Sequence, residues 1–214
     1  MRMQVYILNM PQRQERKLNV MQEFADKPEF ATHFVMPVKH QIPSISHWLT
    51  FYELVKQAQE QGLDYFVFCE DDHIFTSDYE EREFFRQVAE AGRLEADILL
   101  GGVSSMKVPI QITDHLFWLH LFNGTQFVIV FKRFYNRLLE CGKDKQDVVT
   151  DYFISSISGN IFVMYPFISI QKEFGYSDVT SFNNKKGYVD GLFHGTSKGL
   201  EILNKVRRFY NDLR

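Results

Sequence analysis

The hydrophobic and polar positions of the chain change their spacing repeatedly, from short apolar runs to stretches with helical periodicity. A short apolar run without alternation is typical of a strand buried on both faces, and apolar residues three or four positions apart are typical of a helix. We therefore predict strands at 3–8, 33–38, 65–69, 97–103 and 124–131. Helices are predicted after Pro11, at 44–61, 77–92, 132–140 and 198–214, and briefly from Asp151. Strands that alternate with helices favour an α/β fold with a mainly parallel central sheet flanked by helices.

The strand at 65–69 is the most informative, because it runs directly into Glu70, Asp71 and Asp72. A buried carboxylate without a partner is very unfavourable, so three carboxylates at the end of a buried strand require partners. A divalent cation, Mg²⁺ or Mn²⁺, is one such partner, and it leaves coordination positions open for phosphate oxygens. In open α/β sheets ligands bind beyond the carboxyl ends of the strands, where these acids would lie. The alternative interpretation is a strand followed by an acidic, solvated turn.

Two further features bear on a ligand at this edge. Arg13 and Arg16 stand near the start of the first helix, where cations oppose the helix dipole, and an anionic ligand would explain them. Pairing with Glu15 or with solvent is the other explanation. Gly101 and Gly102 lie within the strand predicted at 97–103, where a backbone could approach a ligand closely.

Composition narrows the class of protein. Hydrophobic residues make up 45% of the chain and Phe occurs 21 times, which supports a sizeable core and argues against disorder. The net charge of -3 gives no reason to expect nucleic acid as a partner. We see no apolar run of membrane-spanning length and no signal peptide, and Cys69 and Cys141 do not suggest a disulfide framework. We therefore expect one domain over 1–214 in a reducing, cytoplasmic compartment.

The C-terminal stretch, 198–214, combines an apolar stripe with basic character. Leu203, Val206, Tyr210 and Leu213 fall on one face of a helix, and five Lys or Arg residues stand against two carboxylates. Such a helix can lie on an anionic membrane surface, so a peripheral contact with the inner membrane is one interpretation. The other is a final helix docked on its own domain with a solvated basic face.

Three segments carry a family resemblance. The first is Val5-Tyr-Ile-Leu-Asn9, followed by Arg13 and Arg16. The second is Ser46-His47, which heads a helix leading to Phe68-Cys-Glu-Asp-Asp-His73. The third is Gly124-Thr-Gln-Phe-Val-Ile-Val-Phe131, then Asp151-Tyr-Phe and Gln171…Ser177-Asp178. In this order they resemble the family-25 glycosyltransferases, the lipooligosaccharide sugar transferases that share sequence with collagen galactosyltransferases.

The resemblance implies a GT-A architecture, in which a nucleotide-sugar-binding half is fused to a more variable acceptor half. Here these would be about 1–105 and about 106–214, the second including the C-terminal helix. It also implies transfer of a hexose, commonly galactose from UDP-galactose, to a hydroxyl of a cell-surface glycan such as lipooligosaccharide, with inversion. The implied partners are thus a nucleotide-sugar and a glycan acceptor.

The resemblance also implies roles for residues within these motifs. Glu70 and Asp72 have the spacing of an acid-any-acid motif for Mn²⁺ or Mg²⁺, which would stabilise charge on the leaving diphosphate. Asp71 would instead accept hydrogen bonds from the ribose hydroxyls. Asp151 is the first candidate for the base that inversion requires, and Asp178 the second. Further substrate-binding candidates are Asn9, Arg13, Arg16, Ser46 and His47.

Two histidines have open roles. His47 either hydrogen-bonds backbone at a helix start or contributes to the site, and His194 is either structural or a late-chain metal or phosphate contact. Two other classes of protein remain open. One is a metal-dependent phosphoesterase or nucleotidyltransferase, although such sites generally gather more carboxylates or histidines around two metals. The other is a glycan- or nucleotide-sugar-binding module without turnover.

Overall fold

A computed structural model of the chain describes residues 2–145, 148–175 and 185–213. The strands in these ranges are β1 (Met3–Leu8), β2 (Phe30–Val35), β3 (Tyr65–Glu70), β4 (His73–Phe75), β5 (Ile98–Leu100), β6 (Ser105–Lys107), β7 (Ile110–Gln111), β8 (Leu116–Leu119), β9 (Leu121–Asn123), β10 (Phe127–Phe131), β11 (Ile161–Met164) and β12 (Ser169–Gln171). The helices are α1 (Gln14–Phe24), α2 (Pro43–Glu60), α3 (Glu81–Arg93), α4 (Lys132–Gly142), α5 (Thr150–Ile157) and α6 (Tyr188–Asp212).

The central sheet has eight strands in the order β2-β1-β3-β10-β5-β11-β8-β7. Its pairings give β10 and β8 one direction and the other six strands the opposite direction. The predicted α/β fold with a mainly parallel central sheet is therefore confirmed. Strands from both sides of residue 105 interleave, since β10 lies between β3 and β5.

Hydrophobic side chains fill the space on both faces of this sheet. On one face, residues of α2, α4, α5 and α6 pack together, with Trp48, Phe51 and Phe134 fully buried. On the other face α1 and α3 supply a second core that includes Val20 and Phe84. The sheet is thus covered by helices on both sides, as expected for strands with continuous apolar runs. Among the described residues, no helix combines the length and the hydropathy required to cross a bilayer.

Several predictions of element boundaries were wrong. The strands predicted at 97–103 and 124–131 are the shorter β5 and β10, and the helix predicted at 198–214 is α6, which begins at Tyr188. The strand predicted at 33–38 is β2, which begins at Phe30 and ends at Val35. β2 is an edge strand whose middle is exposed, so its hydrophobic pattern is weak. The helix predicted from residue 77 begins at Glu81, because the side chain of Glu80 accepts hydrogen bonds from the backbone N–H groups of residues 82 and 83.

Gly101 and Gly102 pack against protein backbone and side chains. A Cβ added at Gly102 would collide with the backbone carbonyl oxygen of Ser169, and one at Gly101 would lie 2.8 Å from the Ser169 Cβ. Ser169 begins β12, which pairs with β4 in a small sheet of its own. These glycines therefore let the chain before β12 cross the end of β5, which corrects the interpretation that they approach a ligand.

Candidate functional site

A cavity of about 310 Å³ lies at the edge of the sheet where β1 and β3 end. The residues before β10 reach the same edge, because β10 runs antiparallel to β3. The first turns of α1, α2, α5 and α6 and the segment after β12 complete its wall. Its ionisable and amide side chains include Arg13, Arg16, His47, Glu70, Asp72, Asp151, Gln171 and Lys172. The acidic strand end thus faces a concave site and is not a solvated turn.

Arg16 is the internal partner of the two aspartates that follow β3. Its Nη1 lies 3.0 Å from Asp72 Oδ2 and 3.3 Å from Asp71 Oδ1, and all three side chains are at most 6% exposed. Arg13 Nη1 is 3.7 Å from Asp71 Oδ1. The cations at the start of α1 therefore pair with the two aspartates that follow β3, which explains their position in the first turn. They neutralise carboxylates more than fifty positions later in the chain, as the separations of these pairs show.

Asp71 is held below the cavity floor. Asn9, directly after β1, donates a hydrogen bond of 2.9 Å from Nδ2 to Asp71 Oδ2. Burial raises the pKa of Asp71, and Asn9 and the two arginines act in the opposite direction. Neither Asn9 nor Asp71 lines the cavity. Both residues, which were predicted as substrate contacts, therefore hold Arg13 and Arg16 from behind the cavity wall.

Asp72 is positioned by the small sheet of β4 and β12. Their register sets His73 opposite Gln171, so that Gln171 Nε2 donates to Asp72 Oδ2 at 2.8 Å. Asp72 Oδ1 is buried and has no hydrogen-bond partner among the described residues. Burial raises the pKa of Asp72 to about 7, with a further contribution from the charge of Glu70 and opposition from Arg16. The carboxylate of Asp72 therefore has a raised pKa, and its Oδ1 atom has no hydrogen-bond partner among the described residues.

Glu70 belongs to a chain of hydrogen bonds that crosses the cavity wall. Thr125 Oγ1 donates to Glu70 Oε1 at 2.5 Å and lies 3.3 Å from His47 Nε2. A hydroxyl that donates its one proton to Glu70 can only accept from His47, so this contact requires the His47 tautomer that is protonated at Nε2. His47 Nδ1 is 2.7 Å from Thr150 Oγ1. Burial raises the pKa of Glu70, but His47 and Thr125 outweigh it and the net pKa is lowered.

Asp151 stands in the first turn of α5 and lines the cavity. Its Oδ2 accepts from Asn123 Nδ2 at 2.5 Å and from the Gly124 N–H at 3.3 Å, and its Oδ1 accepts from the Tyr152 N–H at 2.9 Å. Burial raises the pKa of Asp151 despite these hydrogen bonds. A fixed carboxylate with raised pKa is suited to accept a proton from a hydroxyl.

A divalent ion at Glu70 and Asp72 fits the donor chemistry. The unpartnered Asp72 Oδ1 is a carboxylate oxygen, the kind of ligand that Mg²⁺ and Mn²⁺ prefer. However, no group of three or more His, Cys, Asp or Glu side chains that could hold a metal occurs in the described part of the chain. An ion here would therefore take two protein carboxylates and complete its shell with oxygens of a ligand and water.

Two other predicted site residues, Ser46 and His194, lie outside the cavity lining. Ser46 does not line the cavity and donates from Oγ to the Val38 carbonyl at 2.5 Å, so it fixes the start of α2. His194 is exposed on α6 and does not line the cavity, so its position gives no support to a metal role. Asp178, the second candidate base, lies outside the described residues.

Sequence reasoning gave no role to four side chains at this site, which are Thr125, Thr150, Gln171 and Lys172. Gln171 belongs to the third motif of the family resemblance, and Thr125 lies at the start of the strand predicted at 124–131, but neither pattern indicated a role at the site. What the sequence did not reveal was the antiparallel direction of β10, which brings Thr125 beside Glu70. The pairing of β12 with β4 places Gln171 and Lys172 in the same way.

No protein-family model and no curated protein matches this sequence. Several solved structures have a similar backbone. A glycosyltransferase involved in the glycosylation of the major capsid of PBCV-1 superposes with a TM-score of 0.46 and 10% identity, over 76% of this chain and 81% of that chain. A UDP-glucose pyrophosphorylase complexed with UDP-glucose has a TM-score of 0.45 and 11% identity, over 92% and 81%.

The glycosyltransferase GlyE of Streptococcus pneumoniae TIGR4 superposes with a TM-score of 0.46 and 7% identity, over 77% of this chain and 45% of that chain. At such identities and TM-scores the likeness to these proteins is a distant one of fold. The chemistry of the cavity is therefore argued from this chain's own residues.

Proposed function

We propose that the protein is a glycosyltransferase that moves a hexose from a nucleoside diphosphate sugar to a hydroxyl acceptor. The observation that carries this proposal is the combination of anion-binding and acidic groups around one cavity. Arg13, Arg16 and Lys172 supply cations, and Glu70, Asp72 and Asp151 supply carboxylates. A nucleotide-sugar needs both, because its diphosphate is an anion and the transfer requires a base.

Helix N-termini strengthen the case for a diphosphate. α1, α2 and α5 all direct their first turns to the cavity. The residues at their N-caps, Arg13, Ile42 and Val149, make no capping hydrogen bond through their side chains. In the described structure these turns therefore have backbone N–H groups that no N-cap side chain satisfies. α5 uses one such group, the Tyr152 N–H, for Asp151, and the positive ends of the helices attract phosphate.

Each group has a role in this proposal. Arg13 and Lys172, at the rim, bind the diphosphate, and Arg16 holds Asp72 in place. Asp151 takes the proton of the acceptor hydroxyl as the acceptor oxygen bonds to the anomeric carbon and the nucleoside diphosphate leaves. Glu70 and Asp72 would hold Mn²⁺ or Mg²⁺, which supplies charge stabilisation to the leaving diphosphate when bound.

His47 is a positioning residue in this scheme. Through Thr125 it orients Glu70, and its ring packs edge-on against Phe68 with the ring centroids 5.1 Å apart. The aromatic rings of Phe174 and Tyr188 also line the cavity. Flat apolar surfaces of this kind suit a nucleobase or the apolar face of a hexose.

The finer assignment follows the sequence resemblance. We propose UDP-galactose as the donor, a lipooligosaccharide-type glycan as the acceptor, and inversion at the anomeric carbon. Inversion requires one base and a single displacement, and Asp151 is the base in this scheme. Glu173, the other carboxylate that lines the cavity, already accepts hydrogen bonds from the backbone N–H groups of residues 187, 189 and 190.

The test is release of UDP from a panel of UDP-hexoses, measured with and without Mn²⁺ and with simple glycosides as acceptors. We expect Asp151→Asn to lower turnover by about 10²- to 10⁴-fold, since general base catalysis contributes that much. Asp97→Asn is the matched control, because Asp97 is also a buried carboxylate but precedes β5, at the opposite edge of the sheet. It accepts from Ser158 Oγ at 2.8 Å.

Equal turnover by wild type and Asp151→Asn would remove Asp151 from the mechanism. Binding of UDP-hexose without release of UDP under any condition would identify a binding module. Formation of UDP-hexose from UTP and a hexose 1-phosphate, without transfer to a hydroxyl, would identify a nucleotidyltransferase.

A further inference from the structure

The last helix separates into a docked half and a projecting half. In the first half of α6, Val189, Phe193 and Leu200 are buried in the core. Asn204, which accepts from Gln111 Nε2 at 2.8 Å, is the last buried residue of the helix. From 205 to 213 each residue is exposed except Arg207, which is half-buried. Of the helix predicted at 198–214, docking on its own domain therefore describes the residues only as far as Asn204 among those that the structure describes.

The projecting half carries an exposed apolar stripe. Its members are between 49% and 67% exposed, and they are Ile202, Val206, Phe209, Tyr210 and Leu213. At about 100° per residue they fall within an arc about 100° wide on the helix surface. Leu200 and Asn204, which dock the helix, lie on nearly the opposite face. The stripe therefore points away from the body of the protein.

Two cations border the stripe. Lys198 and Lys205 lie along one side of it, whereas Arg207 lies nearer to the docked face of the helix. Lys205 and Lys198 pair with Glu201, and Arg207 Nη1 is 2.9 Å from Asp114 Oδ1. Between 198 and 213 four Lys or Arg residues stand against two carboxylates, although the whole chain has a net charge of -3. The basic character is thus local to this helix.

We propose that this stripe and its flanking cations bind the surface of a bilayer that contains anionic lipids. A helix with an apolar arc bordered by cations lies in the interface plane, with its apolar side chains among the acyl chains and its cations at the headgroups. The long stems of Lys and Arg let their charges reach the headgroups from beside the apolar arc. The proposal goes beyond the transferase activity and does not depend on it.

The experiment is flotation of the full chain with phosphatidylcholine vesicles, with and without phosphatidylglycerol. We expect binding only to the vesicles with phosphatidylglycerol, and a loss of binding as salt concentration rises. The double variant Lys198→Gln, Lys205→Gln should lower the partition coefficient about tenfold or more. Phe209→Ser should lower it by about tenfold, because it removes one large apolar side chain from the stripe.

The matched control is the double variant Lys56→Gln, Arg137→Gln. It removes the same charge from exposed positions on α2 and α4, so binding should change by less than about twofold. Unchanged circular dichroism and melting temperature in each variant would show that the fold is intact, as expected for exposed residues.

Three results would overturn the proposal. They are equal binding to neutral and anionic vesicles, an equal loss in the control variant, and the absence of binding to either. A concentration-dependent dimer that Phe209→Ser abolishes, in a protein that does not float with vesicles, would assign the stripe to a second copy of the chain.

Discussion

Arg16 connects the first helix to the carboxylates that follow β3. Its guanidinium lies between Asp71 and Asp72, and its Cζ is 4.9 Å from the centre of the Phe174 ring. A buried ion pair owes little net stability to its own attraction, but removal of one partner leaves a charge buried without compensation. The side chain of Arg16 is therefore expected to matter for stability whether or not a ligand is bound.

Replacement of Arg16 by alanine should lower the free energy of unfolding by about 3–5 kcal/mol, because Asp71 and Asp72 lose their buried cation. Urea denaturation measures this. The matched control is Arg133→Ala, whose side chain is 43% exposed and pairs with Glu95 and Asp97, and it should cost less than about 1 kcal/mol. Similar losses for the two variants would contradict the role given to Arg16.

The raised pKa of Asp72 predicts a pH dependence of stability. Burial raises this pKa to about 7, whereas an aspartate in the unfolded chain ionises near pH ~3.9. Between these values the folded protein holds a proton that the unfolded chain has lost, so the contribution of Asp72 to stability falls as pH rises. Asp72→Asn, measured in the presence of a chelator, should therefore lose less stability than wild type as the pH rises from ~4 to ~7.

Asp64→Asn serves as the control for that experiment, because the Asp64 side chain is 86% exposed. Its stability should follow the wild-type curve over the whole pH range. If the stability of Asp72→Asn changed with pH in the same way as that of wild type, the claim that folded Asp72 holds a proton would be wrong.

The sequence indicated which residues belong to the site better than it indicated which residues they contact. The acidic triplet at a buried strand end and the anomalous cations at the start of α1 were both visible in the sequence. Their pairing was not, because Arg16 and Asp72 are separated by 56 positions and meet only through the adjacency of β1 and β3. The same limit applies to Thr125, whose hydroxyl reaches Glu70 across another strand pair.

At the scale of elements, most strands and helices lie where apolar runs and helical periodicity predict them. β1, β3 and β10 have strong apolar patterns because they are buried on both faces. Short pairs such as β4 with β12 were missed, since two or three residues give no pattern. Yet this pair places Gln171 at the site, so part of the site depends on elements that periodicity does not detect.

The segment just before β12 packs on the glycines that follow β5, and this close packing can be tested by substitution. Gly102→Ala should lower the free energy of unfolding by about 1–3 kcal/mol, because its Cβ would meet the Ser169 carbonyl oxygen and force the backbone to move. Gly159→Ala is the control, since nothing lies within 4 Å of a Cβ there, and it should change stability by less than about 1 kcal/mol. Thermal or chemical denaturation compares them, and equal effects would refute the packing argument.

At the scale of the whole molecule, strand order determines which residues share the cavity. The alternation of strands and helices predicted the α/β class, but it does not fix the position of β10 between β3 and β5. That position brings Thr125 and Gly124 to the edge where Glu70 lies, and Gly124 in turn donates to Asp151. The cavity therefore results from long-range pairing that local sequence patterns leave undetermined.

The central claim is that this cavity binds a nucleoside diphosphate sugar. The most direct measurement is the melting temperature with UDP and UDP-hexoses, with and without Mn²⁺. A ligand that binds only the folded state at about 100 times its Kd adds roughly 2.7 kcal/mol to the free energy of unfolding. We predict a rise for wild type and for Asp97→Asn, and a smaller rise for Arg13→Ala and Lys172→Ala. A wild-type melting temperature that no nucleotide changes, with or without Mn²⁺, would contradict the claim.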